Sequence, residues 1–257
     1  MKIIFHEKYL KSYTSDPAAA DGRMEPILKE LKKHKDYEFI TPNPATEEDI
    51  LLAHTKDHLE RIKNSPMIYE FALLSAGGAI KAAEMAFQGI PTFGCIRPPG
   101  HHASANSCWG FCFFNNISVS LLKLNTQKKI KSAFVLDFDL HTGDGNINIL
   151  GMHTNKLKSE ILNPISYSEA EYLEEIAKTF SNIDKGKFDI ITASAGFDEY
   201  VLDWGGKLST KAYNKIGKMM KDFSEDKCEG KRYALLEGGY YFEDLGKNIF
   251  SFCEGFK

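Results

Sequence analysis

Acids, imidazoles and a phenol are gathered in four short, glycine-punctuated stretches of this 257-residue chain. They are Arg97-Pro98-Pro99-Gly100-His101-His102, Asp137-Phe138-Asp139-Leu140-His141-Thr142-Gly143-Asp144-Gly145, Ser194-Ala195-Gly196-Phe197-Asp198 and Glu237-Gly238-Gly239-Tyr240. In extended backbone alternate side chains point the same way, so Asp137, Asp139 and His141 could line one side of a strand end. A carboxylate and an imidazole two residues apart can grip one cation, and Asp198 can supply a third ligand from a neighbouring loop. Three protein ligands leave a position open for water, as in catalytic rather than structural zinc sites. The mixed oxygen and nitrogen set also suits iron(II), cobalt or manganese. Turn aspartates beside a hydrogen-bonded core histidine would read the same way. What favours the metal is the company of three other polar strand ends.

Each stretch follows an apolar run of strand length. The predicted strands are Lys2 to Phe5, Glu38 to Ile40, Thr92 to Ile96, Ala133 to Phe138, Asp189 to Ala193 and Tyr233 to Leu236. Segments of helical period lie between them: Thr46 to Asn64, Tyr69 to Gln88, Asn116 to Leu124, a helix opened by Ser168 and Glu171, Thr210 to Phe223, and Phe242 to Phe250. Thr46 with Asp49 spells a capping box. Alternation of this kind predicts an α/β protein with a mainly parallel sheet and helices on both faces, because parallel strands need crossovers and both buried faces need covering. Ligands in such sheets bind beyond the carboxyl ends of the strands, where the four stretches fall.

Composition narrows the function classes. The chain is 43% hydrophobic and 26% charged with a formal charge of -3, which argues against general affinity for nucleic acid. No run of eighteen apolar residues suggests a membrane span, and the charged start Met1-Lys2-Ile3-Ile4-Phe5-His6-Glu7-Lys8 does not read as a signal peptide. Cys95, Cys108, Cys112, Cys228 and Cys253 form no regular framework, so a reducing, cytoplasmic setting is expected. Nothing in the spacing indicates an oligomeric state.

The stretches also reach a family. Arg-Pro-Pro-Gly-His-His-Ala, Gly-Phe-Cys-Phe-Phe-Asn-Asn, Asp-Phe-Asp-Leu-His-Thr-Gly-Asp-Gly, Ala-Gly-Phe-Asp and Glu-Gly-Gly-Tyr occur in one order. That order resembles the histone deacetylases and their bacterial relatives, the acetylpolyamine amidohydrolases and acetoin-utilisation proteins, from His6 to Tyr240. The resemblance implies the three-layer arginase/deacetylase-like fold, with residues 1–257 as a single deacetylase-like catalytic domain. It implies a metal-dependent amidohydrolase that takes an acetyl or short acyl group from an amine such as acetyl-lysine or a small acylated amine. Asp139, His141 and Asp198 would hold Zn2+, with Fe2+ or Co2+ as substitutes. His101 and His102 would sit beside the metal's water, oriented by Asp137 and Asp144, with His102 as general base and Tyr240 as oxyanion donor. In Trp109-Gly110-Phe111, Gly110 and Phe111 would form a wall of the substrate channel. The resemblance further suggests Arg23 on an internal acetate path and a potassium ion on backbone carbonyls near Asp137, Asp139 and His141. Cys108 and Cys112 read as packing residues.

The chain departs from its relatives in being shorter. Ile147 to Asn163 reads as a short polar loop where relatives carry a second wall aromatic. Ile62 to Ile68 is too brief for the acidic rim residue of eukaryotic deacetylases. Glycine stands near where polyamine-selective relatives carry a glutamate, with Asp203 as a partial substitute. A neutral-stemmed substrate is therefore expected ahead of a polyamine. Two other readings stand beside this one: an arginase-like ureohydrolase with two manganese ions, and a non-catalytic acyl-amine-binding protein.

Overall fold

The computed structural model describes all 257 residues and realises every predicted strand, with a seventh that the periodicity does not announce. The strands are β1 (Lys2–Ile4), β2 (Glu38–Ile40), β3 (Thr92–Gly94), β4 (Ser132–Asp137), β5 (Lys158–Leu162), β6 (Ile190–Ala195) and β7 (Arg232–Leu236). They pair in parallel in the order β2-β1-β3-β7-β6-β4-β5. The helices are α1 (Glu25–Leu31), α2 (Glu47–Ile50), α3 (Lys56–Lys63), α4 (Pro66–Phe87), α5 (Asn116–Thr126), α6 (Asp144–Met152), α7 (Glu169–Ser181), α8 (Thr210–Lys227) and α9 (Phe242–Phe256).

Side-chain alternation along the strands shows how the helices form two layers. In β7, Arg232 donates to the Phe256 carbonyl of α9, while the next residue, Tyr233, bonds Ser120 of α5 through its hydroxyl. In β4, Phe134 packs its ring against Phe180 of α7 and Phe223 of α8, whereas Asp137 accepts a hydrogen bond from Asn146 of α6. One face is therefore covered from the α7, α8 and α9 side and the other from the α5 and α6 side, which is why central strands such as Arg232–Leu236 are buried throughout. No helix is long and apolar enough to cross a membrane.

Two expectations need correcting. Thr46 to Asn64 is not one helix. Thr46 opens α2 with the predicted capping box, but Thr55 is extended, gives its N–H to the Ala105 carbonyl, and caps α3 by accepting from the His58 N–H. The period continues, yet a second cap interrupts the backbone. Ile147 to Asn163 is not a loop either: it completes α6 and then forms β5 beside β4. An edge strand with solvent on one side shows no continuous apolar run, so its polar spelling hides it.

Candidate active site

Strands β3, β7, β6 and β4 are consecutive neighbours, so the four polar stretches leave the sheet side by side at its carboxyl end. Sequence-distant loops are then tied together. The buried Glu237 carboxylate, just beyond β7, accepts from the backbone N–H of Gly100 at 2.6 Å and of His101 at 3.2 Å, which fixes the start of the histidine pair to the end of the neighbouring strand. Burial pushes Glu237 up to about 7.

Asp139, His141 and Asp198 come together as expected, with potential ligand atoms all within 4.8 Å of one another. His141 Nδ1 lies 3.4 Å from Asp139 Oδ1 and 3.6 Å from Asp198 Oδ2. Asp139 accepts from the N–H of His141 at 3.0 Å and of Gly238 at 2.9 Å, and Asp198 Oδ1 accepts from the Leu140 N–H at 3.1 Å. Asp198 Oδ2, by contrast, is buried with no hydrogen-bond partner, an arrangement natural proteins rarely leave uncompensated. A Cβ at Gly238 would fall 2.5 Å from that same oxygen. The pocket is thus kept clear around an orphaned carboxylate oxygen, and two oxygen donors with one nitrogen donor fit a divalent cation. Electrostatics point the same way. Burial, reinforced by Asp139, pushes Asp198 up to about 7, while the Asp139 and Asp198 carboxylates beside it carry His141 up to about 10. The cluster retains a proton where a cation would relieve the crowded negative charge.

Both expected carboxylate–imidazole pairs are present. His101 Nδ1 lies 3.3 Å from Asp137 Oδ2, and His102 Nδ1 lies 2.7 Å from Asp144 Oδ1. The two rings are 3.9 Å apart. Their surroundings nevertheless push their pKa values in opposite directions. Burial disfavours a charged His101, but the Asp139 and Asp137 carboxylates outweigh it and raise its pKa well above the usual value. For His102, burial and then the neighbouring His101 push the ring down to about 4 against the pull of Asp144.

Above these groups lies a cleft of about 250 Å³ lined by Pro99, Trp109, Gly110, Phe111, Trp204 and Tyr240 together with the two histidines, Asp139, His141 and Gly238. Gly110 has φ +58°, and a Cβ there would meet His102 Cδ2 at 2.4 Å. Phe111 itself takes φ +67°, an uncommon state for an aromatic residue, and sets its ring edge-on to Tyr240 at 6.1 Å. Sequence reasoning gave neither tryptophan a role. Trp204 stacks on Tyr240 at 4.1 Å, Trp109 stacks on His102 at 3.7 Å, and both stay about half exposed, 53% and 52%.

Asp203 does not serve the mouth as a gatekeeper. Its carboxylate accepts from the backbone N–H of Tyr240 at 2.6 Å, Tyr241 at 2.8 Å and Trp204 at 2.8 Å. Arg23 is buried behind Tyr240, donating to the carbonyls of Glu237 at 2.5 Å and Gly239 at 3.0 Å. Cys112 is a packing residue: its sulfur accepts from the His102 N–H at 3.4 Å, and burial raises its thiol pKa. It lies near His101 and Glu237; His101 engages Asp137 and Glu237 Oε2 accepts from two backbone N–H groups, while Glu237 Oε1 is buried without a hydrogen-bond partner. The Asp137 carbonyl, expected near potassium, accepts from Asn163 Nδ2 at 3.2 Å.

Comparison with known proteins agrees with this architecture. A family model described as the histone deacetylase domain matches residues 18–161. A probable deacetylase of Archaeoglobus fulgidus is 28% identical over 94% of this chain and 81% of its own. A histone deacetylase-like amidohydrolase of Pseudomonas aeruginosa is 27% identical over 89% of this chain and 75% of its own. Among solved structures, the HDA15 HD domain superposes with a TM-score of 0.84 at 20% identity, covering 98% of this chain and 88% of that one, which is a likeness of fold.

Proposed function

The chain belongs to the histone deacetylase domain family, and from that premise we propose that it is a metal-dependent amidohydrolase removing an acetyl or other short acyl group from an amine. The observation that carries this reading is the convergence of the His102–Asp144 pair with the Asp139, His141 and Asp198 donors at the foot of one cleft.

Asp139, His141 and Asp198 would hold the cation, with zinc as the first choice and Fe2+ or Co2+ as alternatives. Such an ion, when bound, supplies Lewis acidity toward the acyl oxygen and makes a nearby water more acidic. His102 is neutral near pH 7, and because its Nδ1 faces Asp144, its Nε2 is free to accept a proton from the attacking water and return it to the leaving amine. His101, held by Asp137, contributes positive charge beside the reacting centre. Tyr240 keeps its phenolic proton because burial raises its pKa, and so can donate to the developing oxyanion. Gly110 and Phe111 form one wall for the substrate stem.

The rim supports an uncharged stem, as in acyl-lysine or a small acylated amine, over a polyamine. Asp203 is occupied by three backbone N–H groups, Asp144 is engaged by His102 and the Trp109 indole N–H, and two half-exposed indoles face outward. A binuclear manganese ureohydrolase gains no support, since the second donor trio offers a cysteine sulfur where carboxylate oxygens suit manganese.

The test is a panel of acetyl-lysine, acetylpolyamine and small acyl-amine substrates with metal-replete protein. Asp198→Ala should lose metal, whereas Tyr240→Phe should keep one ion per chain and lose rate. No turnover on any substrate sinks the proposal. Tight binding without turnover would instead establish the acyl-amine-binding alternative.

A further inference from the structure

We propose that Asp203 is the positioning residue for Tyr240, setting the phenol through the backbone that carries it and through the indole stacked upon it. The proposal rests on Tyr240 acting in the reaction above.

The loop beyond β6 folds back on itself. The Gly205 N–H donates to the Asp198 carbonyl at 2.8 Å and the Asp203 N–H to the Tyr200 carbonyl at 2.8 Å, so Asp203 sits in a turn anchored to a candidate metal ligand. From there one carboxylate reaches across to the loop beyond β7. Oδ2 accepts from both Tyr240 and Tyr241, and Oδ1 from Trp204. An ionised carboxylate has about four acceptor positions, and three are filled by N–H groups of the two loops that meet at the cleft.

The Glu237–Tyr241 segment needs such a hold. It contains two consecutive glycines, and Gly239 takes φ +119°, a conformation open to few other residues. Arg23 binds its carbonyls at Glu237 and Gly239 from behind, and Asp203 binds its N–H groups at Tyr240 and Tyr241 from the other side. A cation on the carbonyls and an anion on the amides match the two ends of the peptide dipoles, so the segment is held in one orientation by charge-assisted bonds. Because Trp204 follows Asp203 directly, the same anchor places the indole that stacks on the Tyr240 ring at 4.1 Å and 24°.

Two experiments on the full chain test this. In metal-replete enzyme, Asp203→Ala should lower kcat roughly ten- to a hundredfold, the loss expected when charge-assisted bonds are removed, with metal content retained. In a Tyr240→Phe background the same change should cost less than about twofold, because residues acting as a unit are not additive. Independently of activity, Trp109→Phe leaves Trp204 as the sole tryptophan. In that metal-free protein Asp203→Ala should shift the emission to the red and increase acrylamide quenching, as Tyr240→Ala should. Should Asp203→Ala fail to fold, Asp203→Asn, which keeps one acceptor oxygen but offers N–H groups in place of the other, should show both effects in reduced form. An unchanged spectrum, or a rate loss that adds fully to that of Tyr240→Phe, overturns the proposal. If no deacylation is found at all, the functional reading falls while the fluorescence result still decides whether Asp203 sets the stack.

Discussion

Trp109 lies on the imidazole of His102, ring centroids 3.7 Å apart, and its indole N–H ends 2.9 Å from the Asp144 carboxylate that also holds His102 Nδ1. One side chain thus shields the candidate base from water and braces the carboxylate that orients it.

Removing that shield has a definite sign. Burial is the largest cause of the low His102 pKa, so Trp109→Ala should raise it from about 4 toward the ordinary 6.5. The base works when neutral, so the acid limb of kcat/KM should move to higher pH. Trp109→Phe, which keeps a ring but not the N–H, should shift it less. A limb that stays in place would remove the shielding role.

Cation binding should release protons. The donors must be deprotonated to ligate, yet without a cation Asp198 lies near 7 and His141 near 10. Zinc affinity should therefore rise between pH 6 and 9, and calorimetry in buffers of different ionisation heat should register proton release. A flat affinity over that range would contradict the charge balance described for the cluster.

Gly110→Ala should damage catalysis more than it damages the fold. The new methyl would collide with His102 Cδ2, and the positive φ adds strain of about 1–3 kcal/mol. Displacing a catalytic group by about an ångström can cost on the order of a hundredfold in rate. Thermal unfolding and kcat measured together check both halves.

His54 makes acid stability testable apart from chemistry. Its buried ring joins the Ser104 carbonyl and the Asn115 N–H at 3.0 and 2.8 Å, closing the base of the loop that carries Trp109, Gly110 and Phe111. Burial, assisted by His58, pushes it down to about 3. The unfolded chain then binds more protons than the folded one between about pH 6.5 and 3, so stability should fall as pH drops through that window. His54→Gln should flatten the dependence in denaturant titrations.

How far the spelling could be read follows from the physics of each part. Asp139, His141 and Asp198 were legible because strand ends alternate and loops beyond neighbouring parallel strands converge, and both carboxylate–imidazole pairs are where the resemblance placed them. Asp203 was legible as an acid near the mouth but not in its direction, since a turn of the chain aims the carboxylate at backbone N–H groups. Trp109, quoted only as the neighbour of Gly110 and Phe111, and Trp204 received no role because an indole in a loop has no periodicity to betray it. The break at Thr55 and the strand Lys158–Leu162 were hidden by a helical period that outlasts its helix and by an edge position that tolerates polar residues.

The position of β7 carries a consequence for how the centre is made. The last strand of the sheet lies between β3 and β6, so the loops after β3 and β6 are brought into place by β7, and Asp139 receives the Gly238 N–H from the loop that follows it. The same loop brings Glu237, which pins Gly100 and His101. Both groups thus hang on one strand, and a change that loosens β7 reaches the donor trio and the histidine pair together.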